Sequence, residues 1–230
     1  MIPIMKKPRN ISVFGIRGVG KTAYLIMLIN KLSRMMAIHD IKIHSGLEYY
    51  MEMMRWILKG EGPQPTKPGE RLIIHVSMRI NGKKLEVKTY DLAGGEIQRM
   101  GPTFRALIDI GDGYLFLIEP SPDPDMRVTQ VWLIYRFVEY LTQNFNKKTN
   151  KPVAFVFTKN DIYGIKDPQQ EFLKYTNPVF NLIHVLRKIK KCAFFAVSSF
   201  GGDLETLRMQ GKEIQPINIE RPFLWLIKNI

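Results

Sequence analysis

Three short segments carry residue types whose spacing points to chemistry on a phosphorylated ligand. The first, Gly15-Ile16-Arg17-Gly18-Val19-Gly20-Lys21-Thr22, fits the pattern G-x-x-x-x-G-K-T without a mismatch. In such a loop backbone N–H groups turn inward around a phosphate, glycines permit the close approach, and the following helix adds its positive N-terminal end. Lys21 then supplies a point charge to the β- and γ-phosphates, and the Thr22 hydroxyl serves Mg2+. The residues expected to face the phosphates are Gly18, Val19, Gly20, Lys21, Thr22 and Ala23.

The second segment is Thr158-Lys159-Asn160-Asp161, directly after the apolar run Val153–Phe157. An Asp there can accept two hydrogen bonds from the N1 and N2 donors of guanine, which adenine does not offer. An unpaired buried carboxylate is costly, so the discrimination can be large. Taken alone, the tetrapeptide also admits the plainer reading of a polar turn after a strand. Its place at the carboxyl end of a strand, where open α/β sheets bind ligands, favours the base-reading role. The third segment, Tyr90-Asp91-Leu92-Ala93-Gly94-Gly95-Glu96, also closes a strand. Asp91 would hold Mg2+ through water, and the Gly94 N–H would meet a γ-phosphate.

The elements needed to position these segments are legible around them. Ile11–Phe14 is a short apolar strand running into the glycine loop, and Ala23–Met36 carries Leu25, Leu28, Ile29, Leu32 and Met36 at helical spacing. Ile41–Ile43 reads as a short strand. Leu47–Leu58 reads as an amphipathic helix with Leu47, Tyr50, Met51, Met54 and Ile57 on its apolar face. Residues 60–69 hold too much Gly and Pro to be anything but a loop. A hairpin follows: Leu72, Ile74, Val76, Met78 and Ile80 alternate on the way out and Leu85, Val87 and Thr89 on the return, with Asn81-Gly82 between them. The runs Gly113–Glu119, Val153–Phe157 and Ala193–Val197 are further strands, and Met126–Phe145 is a helix. Asp167-Pro168 and Asn177-Pro178 read as helix starts, for two helices ending near Lys191, and residues 221–230 as a last helix. The predicted fold is α/β, a three-layer sandwich. Its central sheet is mostly parallel, with one antiparallel edge strand from the 72–90 hairpin and helices on both faces.

The order of glycine loop, Asp-x-x-Gly, Thr-Lys-x-Asp and then Ser198-Ser199-Phe200 after a strand resembles the Ras-like small GTPases, within the TRAFAC class of P-loop proteins. The resemblance covers nearly the whole chain, read as one GTP-binding domain over 1–230. It implies a P-loop NTPase fold, GTP and GDP as ligands, Mg2+, and a molecular switch with protein effectors and a GTPase-activating protein. It also implies that Lys159 packs its stem along the guanine and that the Ser199 N–H reaches the base carbonyl, with Ser198 and Phe200 alongside. Thr66 would be the switch threonine that completes Mg2+ coordination. The segment 39–69, an extended switch I with its own helix, and Gly94-Gly95-Glu96 look like the prokaryotic Ras-related and double-GTPase groups.

Two residues depart from that pattern. Gly95 stands where Ras-type proteins often carry the glutamine that orients water, leaving Gln98 or Glu96 as substitutes, or no substitute at all. Arg17 occupies the variable loop position beside the γ-phosphate. It admits three roles: a built-in arginine finger, a steric block, or a solvent-facing side chain. The expected catalytic set is therefore Lys21, Thr66 and Gly94, joined by Arg17 and Gln98. The alternative to a hydrolysing switch is a GTP-dependent interaction or assembly module with little or no turnover.

Global properties agree with an ordinary globular chain: 230 residues, 45% apolar, 24% charged. No run of about 18 apolar residues marks a spanning helix. The N-terminal segment lacks the apolar core of a signal peptide, so a cytoplasmic protein is the expectation. The net charge of +13 would suit nucleic acid or acidic partners, but it is spread along the chain, which more often serves solubility than recognition. A GTPase acting on RNA is the third reading. Cys192 is expected to be a buried structural thiol. His39, His44, His75 and His184 have no metal-ligand spacing, and His75 is expected to be structural.

Overall fold

The computed structural model describes residues 8–35, 38–62, 71–80, 83–92, 95, 99–143, 146–175 and 181–230. The first half comprises β1 (Arg9–Phe14), α1 (Lys21–Leu32), β2 (Ile38–Ser45), α2 (Leu47–Leu58), β3 (Arg71–Ile80) and β4 (Lys83–Leu92). After these come α3 (Pro102–Ile110), β5 (Gly113–Ile118), α4 (Pro124–Leu141) and β6 (Val153–Phe157). The short helices α5 (Asn160–Tyr163), α6 (Pro168–Leu173) and α7 (Leu182–Leu186) lead into β7 (Cys192–Ala196), and α8 (Leu204–Met209) and α9 (Arg221–Asn229) close the chain.

All seven strands form one sheet in the order β2-β3-β4-β1-β5-β6-β7. From β4 to β7 every pairing is parallel, while β3 runs antiparallel to both β2 and β4. Parallel strands covered on both faces read as unbroken apolar runs. Accordingly, every residue of β5 and β6 is buried.

The sheet differs from the sequence expectation at its edge. The strand expected to be the antiparallel edge, β3, lies inside the sheet, and β2 takes the edge, from Ile38 opposite Met78 to Ser45 opposite Ile73. β2 is eight residues long, where only Ile41–Ile43 showed alternation, and its register shifts near both ends. A strand of this kind draws its stability from the ladder β3 offers rather than from its own pattern. In the hairpin Ile80 pairs with Lys83, and the Asn81-Gly82 turn between them lies outside the described residues.

One face of the sheet carries an aromatic row. The registers set Phe14 beside Phe116, Phe116 beside Phe155, and Phe155 beside Phe194, across four neighbouring strands. Their ring centroids lie 6.3, 6.1 and 5.5 Å apart. Helices close over the row: Phe104 of α3 meets Phe14 edge-on at 5.5 Å, Phe137 of α4 reaches Phe14 at 4.9 Å, and Phe172 of α6 reaches Phe155 at 4.6 Å. Tilted and edge-on rings in such a row each add about 0.5–1.5 kcal/mol beyond the burial of their area. α9 covers the other face, with Trp225 on Phe195 and with Leu226 and Ile230 against Gly113. α1 packs on β4. Helices therefore cover both faces.

Local signals set several helix ends. α4 begins at Pro124, two residues before its predicted start, because Asp123 caps it by accepting from the Asp125 N–H. It ends at Leu141 rather than Phe145. Asp167 caps α6 as expected, accepting from the Gln169 and Gln170 N–H groups. Asn177-Pro178 lies outside the described residues. The next described helix, α7, is capped by Asn181 and stops at Leu186, short of Lys191. α2 has its predicted span, but its buried side is Tyr49, Met53 and Ile57, with Leu47 and Met51 exposed. Cys192 is half-buried rather than buried. His75 pairs with Glu86 across the hairpin at 3.1 Å, a structural arrangement.

Candidate functional site

The glycine loop leaves β1 in a conformation that suits glycine. Gly15 has φ +149°, and a Cβ there would lie 2.8 Å from both the Leu117 carbonyl oxygen and Val19 Cγ2. Gly20 (φ +85°) is the N-cap of α1, and a Cβ on it or on Gly18 would project into open space. The N-cap Gly20 has no side chain with which to cap α1, so among the described residues the loop and the helix start present backbone to the space in front of them. Lys21 is buried, and its Nζ donates to the Gly15 and Ile16 carbonyls, both at 3.1 Å. Its charge is thereby held inside the curve of the loop. Thr22 is buried too, and its Oγ1 accepts from the Tyr49 hydroxyl of α2 at 3.3 Å. Arg17 is exposed on the same loop.

A single hydroxyl ties the second segment to the first. Thr158 Oγ1 donates to the Val19 carbonyl at 2.8 Å across 139 residues of sequence, and the Thr158 N–H extends the β5–β6 ladder to the Ile118 carbonyl. Lys159 follows in the left-handed region (φ +55°), which swings its side chain toward the end of β5. There Lys159 Nζ donates to Glu119 Oε2 at 2.6 Å. The carboxylate is nearly buried, at 9% exposure, whereas the Lys159 side chain keeps 37%. Tyr163 donates to the other oxygen, Oε1, at 3.0 Å. The Glu119 backbone is pinned as well: its N–H donates to Gln130 Oε1, and its carbonyl accepts from Gln130 Nε2 and from the Tyr175 hydroxyl. Burial raises the Tyr163 phenol, reinforced by its hydrogen bond to Glu119. Burial likewise pushes Tyr175 up to about 12. Both therefore stay protonated donors at neutral pH. Asp161 lies on α5 and is exposed.

A further segment, Ser198-Ser199-Phe200 just past β7, is held from inside. Ser198 is fully buried, and its Oγ accepts from the Gly201 N–H at 2.8 Å while its own N–H donates to the Ile217 carbonyl. Ser199 and Phe200 are half-buried beside it. The glycine loop, the 158–161 turn and the 198–200 segment meet around a half-open cavity of about 360 Å³. Its walls include Gly20 and Ala23, Thr158, Lys159 and Asp161, and Ser199 and Phe200. Gly60 and Gly62 after α2, and Asp203, Leu204 and Glu205 at the start of α8, complete it.

The structure places Asp91 by its backbone alone. It is the penultimate residue of β4, one beyond Tyr90, whose partner in β1 is Ser12. Thr66, Gly94, Glu96 and Gln98 lie outside the described residues. Among the described residues no group of three His, Cys, Asp or Glu side chains could hold a metal ion by itself, and no helix is long and apolar enough to cross a membrane.

Among the residues at this site not singled out from sequence are Glu119, with Gln130, Tyr163 and Tyr175 that hold it, and Tyr49. An acid ending an otherwise wholly apolar parallel strand was a usable signal for Glu119. Tyr49 looked like any apolar helix residue.

Fold and site together define an α/β protein with a mixed seven-stranded sheet and a cavity where its parallel strands end. Compared with known proteins, the chain matches no family profile and is similar to no curated protein.

Proposed function

We propose that the chain is a small GTP-binding protein with a P-loop NTPase fold, a molecular switch that hydrolyses GTP slowly with Mg2+. The observation that carries this reading is a cavity lined together by the glycine loop, legible as phosphate-binding, the 158–161 turn, legible as base-reading, and the 198–200 segment, to which the resemblance assigns the base carbonyl. The residues fit the ligand in kind. The open space before Gly18 and Gly20 and the α1 start without a side-chain cap suit a phosphate chain. Lys21 supplies a charge already held in the loop. Asp161 is exposed at the cavity wall, free to accept from guanine N1 and N2, and the partly exposed Lys159 stem offers a surface to the ring.

Thr22 and Asp91 would hold Mg2+, which when bound neutralises charge between the β- and γ-phosphates. Thr66 and Gly94 are the residues proposed to order on the γ-phosphate, and protein effectors to read that ordering. Gly95 brings no side chain to orient water, so intrinsic turnover is slow, with Gln98 or Glu96 as candidates for that role. The same absence favours the second reading, a GTP-dependent assembly module with little hydrolysis.

The test is nucleotide binding by the purified protein, read with fluorescent GDP and ADP analogues. GDP should bind about a hundredfold or more tighter than ADP, and Asp161→Asn should shift preference toward xanthine nucleotides. Equal affinity for adenine and guanine nucleotides would sink the base-reading argument.

A further inference from the structure

The α2 helix has two apolar sides; among the described residues one is buried, and the other is largely exposed, with Met54 and Leu58 at its C-terminal end also lining a cavity beside α1 and α8. At about 100° per residue, the buried Tyr49, Met53 and Ile57 point into the body. Leu47, Met51, Met54 and Leu58 fall within an arc of about 60° turned well away from them. Leu47 is 55%, Met51 48% and Leu58 73% exposed, with Met54 half-buried between them. The spacing, four then three then four, is that of a coiled-coil seam, in which alternate gaps of three and four keep side chains facing a second helix.

The charges beside the seam identify that second helix. Along the exposed flank the order is Glu48, Glu52, Arg55, Lys59, all exposed, acidic in the first half and basic in the second. Within one helix this sets like charges four apart, Glu48 with Glu52 and Arg55 with Lys59, which repel. Turned end for end, the same series is its own complement. In an antiparallel pair related by a two-fold axis, Leu47 meets Leu58 of the other copy and Met51 meets Met54. Glu48 then faces Arg55 twice, with Glu52 and Lys59 outside them. The other side of the seam is Tyr50 and Ile57, half-buried and buried in the body, so the second copy has one approach.

We propose that a second copy of this chain docks antiparallel on α2, through the Leu47–Met51–Met54–Leu58 stripe and the Glu48–Arg55 pairs. Twelve residues make a helix about 18 Å long, and one such pair falls short of the roughly 1,200–2,000 Å² that stable complexes bury. The association is therefore weak and concentration-dependent. It does not depend on the nucleotide reading and fails or stands separately from it.

Sedimentation equilibrium of the purified full chain, from micromolar to submillimolar concentration, tests this. The wild type should shift toward dimer, and Leu58→Asp should hold it monomeric. Glu48→Arg and Arg55→Glu should each weaken self-association by about tenfold or more, since each sets like charges across the seam twice. Mixed one to one, these two variants should associate again, because both cross-pairs become opposite in sign. The double variant Glu48→Arg/Arg55→Glu should also recover. Far-UV circular dichroism of each variant checks that the fold is kept, and a misfolded variant would not be rescued by mixing. A wild type that stays monomeric overturns the proposal, as does a dimer indifferent to the charge variants or a mixture that stays monomeric.

Discussion

Replacing Glu119 with Gln probes how the proposed base site is held. Glu119 receives Lys159 Nζ at 2.6 Å on one oxygen and the Tyr163 hydroxyl at 3.0 Å on the other. Gln keeps the size and one acceptor oxygen but loses the charge facing Lys159. A hydrogen bond to a charged partner contributes about 1.5–3 kcal/mol. Lys159 is 37% exposed, so solvent screening roughly halves this, to about 0.75–1.5 kcal/mol. That is also the most the substitution can remove from nucleotide binding if Glu119 acts only by positioning Lys159. The expected loss is about 3- to 12-fold in affinity, equal for GDP and GTP and carried by faster dissociation. Tripolyphosphate, which has no base, should bind the variant and the wild type alike. A cycle with Lys159→Met separates the terms: once Lys159 is removed, Glu119→Gln should cost almost nothing further. Stopped-flow release of a fluorescent GDP analogue measures both. Unchanged release would refute the reasoning. An equal loss for tripolyphosphate would show instead that Glu119 supports the whole fold rather than the base site.

Phe155→Ala removes the centre of the aromatic row and its contact with Phe172, and should destabilise the fold by about 3–5 kcal/mol in denaturant titration; a loss below about 1 kcal/mol would mean the row is not the core described. For Arg17, the finger role predicts that Arg17→Ala slows single-turnover GTP hydrolysis at least about tenfold with little change in GTP affinity. An unchanged or faster rate removes that role. Burial raises the Cys192 thiol above its ordinary value, so less thiolate is present at neutral pH. Alkylation of the native protein should be slower than of a free cysteine, should accelerate as pH rises, and should reach the free rate in denaturant. Native labelling as fast as that of a free cysteine at neutral pH would contradict this.

What the sequence carried, and what it did not, divides along physical lines. The turn from β1 into α1 was legible because its constraint is local: a backbone with φ +149° at Gly15 and +85° at Gly20 selects glycine whatever lies around it. Strands β5 and β6 were legible because burial on both faces leaves an unbroken apolar run. Glu119 was not, because its meaning comes from register. The ladder sets Ile118 opposite Phe157, and only this brings the acid just past one strand beside the lysine just past the other, 40 residues on. The edge strand β2 escaped for the same reason, since its pairing belongs to β3. α2 is the sharpest case. Its span came out of the periodicity, but a helix with apolar residues on two sides does not say which side its own chain covers. The expected face, Leu47, Tyr50, Met51, Met54 and Ile57, mixed residues from both. Only Tyr49, planted on Thr22, and Met53 and Ile57 in the core show which way the helix is turned. Once that is known, Leu47, Met51 and Leu58 become a surface in need of a partner, and the charges beside them become informative.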